Sequence, residues 1–153
     1  MPNTYVKIYV QTVFAVKHRD ALIKDHFKKE LQAVIGNLIN ETGCKTIIVN
    51  GVEDHVHCFF TLKTTLSLSE VMKSVKAKSS KWINENHFLN DRFEWQRGFG
   101  GFSYGQSQVS KVFKYIENQE EHHKKESFKD EYLKLLKKFE VEYDEDYWFE
   151  DLI

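Results

Sequence analysis

The sequence predicts an α+β fold in split βαβ order, an antiparallel sheet with two helices on one face and a further helix over the other. Three observations carry that expectation. Period-two alternation marks strands near residues 5–16, 46–52 and 55–62. Two long stripes at helical spacing, 25–42 and 66–86, are interleaved with those strands. A third stripe, at 107–124, is left over once the first two have covered one face of a sheet.

The first strand runs from Tyr5 to Val16, where Val6, Ile8, Val10, Phe14 and Val16 alternate with Lys7, Tyr9 and Gln11. It ends in the basic turn Lys17-His18-Arg19-Asp20. The helix from Asp25 to Thr42 places Phe27, Leu31, Val34, Ile35 and Leu38 on one side, and Gly43 stands where a C-terminal glycine cap belongs. Thr46 to Val52 is a β-branched strand, with Asn50-Gly51 as a turn or bulge near its end. The next strand follows almost at once, so the two are expected to pair antiparallel. The second long helix, Leu66 to Asn86, carries the stripe Leu68, Val71, Met72, Val75, Ser79, Trp82 and Ile83, with Ser67 or Ser69 as its cap.

Phe93 to Arg97 is the candidate fourth strand, and the glycines of 98–105 permit a bent strand or a mobile connection. Helices over 107–124 and 127–140 follow, the first with Val109, Val112, Phe113 and Ile116 as its stripe, the second with Phe128, Tyr132, Leu135, Leu136 and Phe139. Strand–helix–strand–strand–helix–strand is the order of a ferredoxin-like domain. The chain is therefore expected to form a single domain over 1–153, with a ferredoxin-like body at 1–105, a separate helix at 106–125, and a C-terminal helix and acidic, aromatic tail at 126–153.

The 153 residues, 41% apolar and 14% aromatic, are enough for one real core. Two cysteines, Cys44 and Cys58, make no disulfide framework and suit a reducing, cytoplasmic setting. No signal-peptide pattern and no apolar run of membrane-spanning length occurs. The net charge of −1 hides an asymmetry. Residues 140–153 hold seven of the 23 acids and no Lys or Arg, leaving 22 bases against 16 acids elsewhere. A basic body fits a polyanionic partner, and a solvated surface would read the same way. The tail carries Tyr143, Tyr147, Trp148 and Phe149, too many aromatics for a simple disordered segment, and is expected to dock.

The chemistry is concentrated in Asp54-His55-Val56-His57-Cys58-Phe59-Phe60. On a strand, His55, His57, Phe59 and Thr61 share one face, and Val56, Cys58, Phe60 and Leu62 share the other. Two imidazoles roughly 6.6 Å apart can converge on one cation. About sixty residues downstream, Tyr115 and Gln119 stand at i and i+4 on one helix face, with Tyr115 turned well away from the apolar stripe. Such a tyrosine is either an aromatic packed at an interface or a nucleophile beside an ion. His122 and His123, one turn past Gln119, either assist the metal or phosphate or are partly exposed histidines at a helix end.

His55-Val56-His57 followed at this distance by Tyr115-Ile116-Glu117-Asn118-Gln119 resembles the HUH single-tyrosine transposases of small bacterial insertion sequences, the IS200-like family. Thr12 to Arg19 is similar to that family's first strand and basic turn, and Trp95 to Ser103 to the segment leading into its tyrosine helix. The resemblance implies an enzyme that cleaves and rejoins single-stranded DNA at element ends through a 5′-phosphotyrosine. It implies Tyr115 as nucleophile, His55, His57 and Gln119 as metal ligands, and Mg2+ or Mn2+ as the ion, of which Mn2+ suits imidazoles better. It also implies hairpin-bearing DNA as partner and a homodimer, with the tyrosine helix completing either its own or the partner's site. Lys17, Arg19, Lys73, Lys76 and Arg97 are the candidate DNA contacts. Three other readings compete: a domesticated transposase acting on genomic repeats, a ferredoxin-like nucleic-acid-binding module without chemistry, and a hydrolase with water as nucleophile.

Overall fold

Residues 3–143 are described in the computed structural model, and within them the alternating segments pair into one four-stranded antiparallel sheet. The strands are β1 (Tyr9–Ala15), β2 (Lys45–Gly51), β3 (His55–Thr61) and β4 (Gly100–Tyr104), in the spatial order β2-β3-β1-β4. Helices α1 (Asp25–Glu41) and α2 (Leu68–Glu85) provide the two crossovers, giving the expected ferredoxin-like arrangement. After β4 come α3 (Val109–Glu117), α4 (Gln119–His123) and α5 (Phe128–Lys138). No helix of the described residues is long and apolar enough to cross a membrane.

The alternation of β1 and β3 feeds two different cores. Phe14, Val56, Cys58 and Phe60 face α1 and α2, meeting Phe27, Leu31, Ile35 and Ile39 from the first helix and Val71, Met72, Val75 and Ile83 from the second. The Cys58 thiol is pushed up to about 12 by burial, so it behaves as a small apolar group. The opposite face is divided. Val13, Ala15 and Phe102 pack under Phe128, Leu135 and Leu136 of α5, whereas Phe59 packs under Val112 and Ile116 of α3. α3 thus lies over the second face as expected, and α5 shares that face with it.

The sequence cues act where they were placed at the helix ends. α1 is followed by Gly43 at φ 101°. Ser67, the first of the two candidate caps, opens α2 with a reciprocal pair: Glu70 N–H donates to Ser67 Oγ at 3.1 Å, and Ser67 N–H donates to Glu70 Oε2 at 3.0 Å.

Four boundaries differ from the sequence reading, each for a tertiary reason. β1 begins at Tyr9 rather than Tyr5, because Tyr9 already faces the last residues of both neighbours, Thr61 and Tyr104. Tyr5 and Val6 are left exposed. The irregularity in β2 lies between Thr46 and Ile48, not at Asn50-Gly51, which stay paired with His57 and Val56. The segment 93–97 is not a strand. It makes a single bridge, Val16 to Trp95, because the glycine-rich segment supplies β4 and takes the edge of β1 from Tyr9 to Val13. Phe93 and Trp95 are core residues instead, and Trp95 Nε1–H donates to Ser79 Oγ at 2.9 Å, which accounts for the serine in the α2 stripe. Gly100 in β4 lets Tyr132 of α5 lie against the backbone, since a Cβ there would come within 2.9 Å of its ring.

The fourth difference is the tyrosine helix, which breaks at Asn118 (φ −95°, ψ 23°). Asn50 of β2 causes it. Its Nδ2–H groups donate to the carbonyls of Ile116 at 2.9 Å and Glu117 at 3.1 Å, two acceptors that a continuous helix would need. The helix resumes as α4, with His122 N–H donating to Asn118 O at 3.0 Å.

Candidate metal and nucleophile site

The site forms on the second face of the sheet, on the seam between the Phe59 cluster under α3 and the Val13 cluster under α5. His57 stands on β3 between Val13 of β1 and Asn50 of β2, and His55 stands opposite Ala15. Both rings are fully buried, with centroids 5.2 Å apart. α3 delivers Tyr115 and α4 delivers Gln119 and His123, so the break at Asn118 puts the tyrosine and Gln119 on successive helical segments. α5 delivers Glu131, a carboxylate only 2% exposed.

Each histidine is oriented by its outer nitrogen. His55 Nδ1–H donates to Asp54 Oδ1 at 2.7 Å, and His57 Nδ1–H donates to Gln11 Oε1 at 2.7 Å. Gln11 is itself fixed, its Nε2–H donating to Tyr104 Oη at 2.7 Å. Outer-nitrogen hydrogen bonds of this kind are what orient metal-binding imidazoles. The inner Nε2 atoms meet Glu131 Oε1, at 3.3 Å from His55 and 3.0 Å from His57. Gln119 Oε1 lies 3.3 Å from His55 Nε2, and its Nε2–H donates to Glu131 Oε2 at 3.1 Å. Tyr115 Oη–H donates to the same Oε2, with His122 Nε2 3.4 Å from the hydroxyl.

The electrostatics follow from that carboxylate. Burial works against a charge on His55, but the hydrogen bonds to Asp54 and Glu131 outweigh it and push the ring up to about 9. His57 is pulled down by burial. Burial alone would raise Glu131, yet the imidazoles around it hold it well below the usual carboxylate range. Tyr115 is pushed up, first by burial and then by the negative charge of Glu131. In this closed arrangement the phenol is a hydrogen-bond donor and not a phenolate.

Tyr115 and Glu131 also border a cleft between α3 and α5. Lys111, Lys134 and Lys138 line it, with His122 and Glu126. This basic wall shares its cleft with the phenol. Of the lysines singled out from the sequence, Lys17 is paired with Glu94 at 3.0 Å and Lys73 is exposed. Lys76 donates to the carbonyls of Gln96 and Gly98, each at 2.6 Å, and burial pushes it down to about 8. Lys17, Lys76 and Arg97 line one groove beside Trp95, separate from the cleft at Tyr115. The side chain of Arg19 and the tail aromatics Tyr147, Trp148 and Phe149 lie outside the described residues.

The structure therefore brings His55, His57, Tyr115 and Gln119 together and adds Gln11, Asn50 and Glu131, which sequence reasoning passed over. Glu131 did leave a signal: an acid within the apolar stripe of Phe128, Tyr132 and Leu135.

Comparisons with known proteins speak to the family and the fold. The family model described as "Transposase IS200 like" matches residues 4–119. No curated protein sequence matches the chain. Among solved structures, one assigned as a transposase from Deinococcus radiodurans R1 superposes with a TM-score of 0.63 at 16% identity, covering 78% of this chain and 95% of that one. A REP-associated tyrosine transposase bound to a REP hairpin superposes with a TM-score of 0.60 at 15% identity, covering 80% of this chain and 73% of that one. At these identities the likeness is one of fold.

Proposed function

The chain belongs to the IS200-like transposase family, and on that footing we propose that it cleaves and rejoins single-stranded DNA at insertion-sequence ends through a phosphotyrosine at Tyr115. One observation carries the reading. A single buried carboxylate bridges the inner nitrogens of His55 and His57 to the hydroxyl of Tyr115. A phosphodiester placed there would meet an ion site through one oxygen and the nucleophile through phosphorus. The donors fit a divalent ion, with His55, His57 and Gln119 as its ligands toward a bound strand and Mg2+ or Mn2+ as the ion. Such an ion supplies charge to the phosphate as it becomes more negative.

The protein's own residues do the rest. Tyr115 Oη forms the bond to phosphorus as the P–O3′ bond breaks. The phenolic proton is lost and the departing 3′ oxygen gains one, so the strand is left with a free 3′ hydroxyl and a 5′ phosphate on the enzyme. Attack by a later 3′ hydroxyl reverses the step without ATP. Lys111, Lys134 and Lys138 hold backbone phosphates along the cleft. His57 and His55 are fully buried under α5, so α5 shifts before a strand reaches them. We extend the proposal to residues 1–153 as one transposase domain, to hairpin-bearing DNA, and to a homodimer with Tyr115 acting in its own or the partner's site. Hairpin recognition draws support from the REP-bound neighbour. Lys17, Arg19, Lys73, Lys76 and Arg97 are the proposed contacts outside the cleft.

The test is covalent trapping. Purified protein is mixed with end-labelled single strands of both polarities from the DNA flanking its gene, with Mn2+ or Mg2+. A labelled band that survives denaturing electrophoresis and disappears with chelator is expected. Binding without an adduct on any flank favours a non-catalytic module, and cleavage without an adduct favours water as nucleophile.

A further inference from the structure

Three imidazoles, not two, point at one oxygen. His123 repeats the pattern of the β3 pair: its Nδ1–H donates outward to Glu126 O at 2.7 Å, and its Nε2 lies 3.0 Å from Glu131 Oε1. The ligand atoms of His55, His57, His123 and Glu131 all lie within 4.8 Å of one another. The outward hydrogen bonds keep a proton on each Nδ1, so an ion that takes the place of any proton on the inner side meets three nitrogen lone pairs and a carboxylate oxygen converging on one point. Four donors about 2.1 Å from a tetrahedral ion stand about 3.4 Å apart. The three nitrogen-to-oxygen separations, 3.0 to 3.3 Å, lie just inside that value.

We propose that in the closed chain His123 and Glu131 complete, with His55 and His57, a three-nitrogen, one-carboxylate centre that takes first-row transition ions in preference to Mg2+. Imidazole suits such ions, whereas Mg2+ prefers oxygen ligands and keeps its waters. Gln119 acts on this centre through its hydrogen bond to Glu131 and becomes a direct ligand only when α5 has shifted. The inference rests on the ion site proposed at His55 and His57, and adds the two ligands that α4 and α5 bring.

The experiment uses the full chain, stripped of metal and free of DNA, titrated with Co2+ alone and then challenged with Mg2+. Intense visible ligand-field bands at one equivalent are expected, undiminished by about a 100-fold excess of Mg2+. Glu131→Gln and His123→Ala each weaken Co2+ binding by about tenfold or more, and Gln119→Ala by less than about threefold. Circular dichroism confirms that each variant is folded, and Glu131→Gln preserves the side chain's size. Wild-type affinity in both Glu131→Gln and His123→Ala, or displacement by equimolar Mg2+, overturns the assignment. Failure here is distinct from failure of the strand-transfer reading. Adducts formed by a protein whose Co2+ affinity ignores Glu131 and His123 remove the ligand assignment alone, and expected Co2+ behaviour without any adduct removes strand transfer alone.

Discussion

Tyr115→Phe should abolish the covalent adduct, lowering single-turnover strand cleavage by roughly 10⁴-fold or more, the scale seen when a nucleophile is deleted. The substitution removes one oxygen and nothing else from the packing of α3, whose apolar contacts run through Val112 and Ile116. Glu131 Oε2 loses the phenolic donor but keeps Gln119 Nε2 at 3.1 Å. A hydrogen bond to a charged group is worth about 1.5–3 kcal/mol, and the remaining donor places the cost at the low end. The variant should therefore stay folded and bind metal as wild type does. Adduct yield, quenched-flow cleavage and a thermal melt on one preparation check all three parts. Cleavage that persists in the variant would pass the nucleophile's role to water.

Gly51→Ala should be the most damaging small change near the site, at about 3 kcal/mol. Gly51 ends β2 and has an ordinary φ, so backbone strain is not the reason. Space is. A Cβ would sit 2.2 Å from His55 O and 2.9 Å from Val56 Cα, both backbone atoms of the adjoining strand. That carbonyl also accepts from Val52 N–H at 3.1 Å, so the hairpin cannot yield without losing a hydrogen bond. The strand that must move carries both histidines. Urea unfolding should show the loss of stability, and metal affinity should fall with it. A variant with unchanged midpoint and affinity would mean that the hairpin absorbs the methyl by a local shift.

What the sequence revealed depended on how local the cause was. The faces of β3 follow from alternation alone, so His55 and His57 were legible as a pair. Tyr115 was legible because it leaves the stripe of its own helix, and Gln119 because it follows one turn later. The break between them was not, since it is made by the Asn50 amide 66 residues upstream. The choice between 93–97 and 100–104 as fourth strand was equally tertiary. Both segments can extend, and only one has access to the edge of β1 along its length. Gln11 was missed for a further reason: it reads as a polar residue of an alternating strand, and becomes meaningful only when its own face is covered, whereas Glu131 stood out only as an acid within an apolar helix stripe.

The covering of that face sets a clock. His55, His57 and Glu131 are at most 2% exposed, and α5 closes over them beside α3 and α4 through the packing of Phe128, Leu135 and Leu136 on the sheet. Any ion held between them leaves only as often as α5 lifts. Release into excess chelator should therefore reach a plateau rate that no longer depends on chelator concentration. Leu136→Ala, by loosening the helix, should raise the plateau while leaving the ligands untouched. Residence time at this centre would then be governed by hydrophobic packing, and the affinity of its donors would be a separate property.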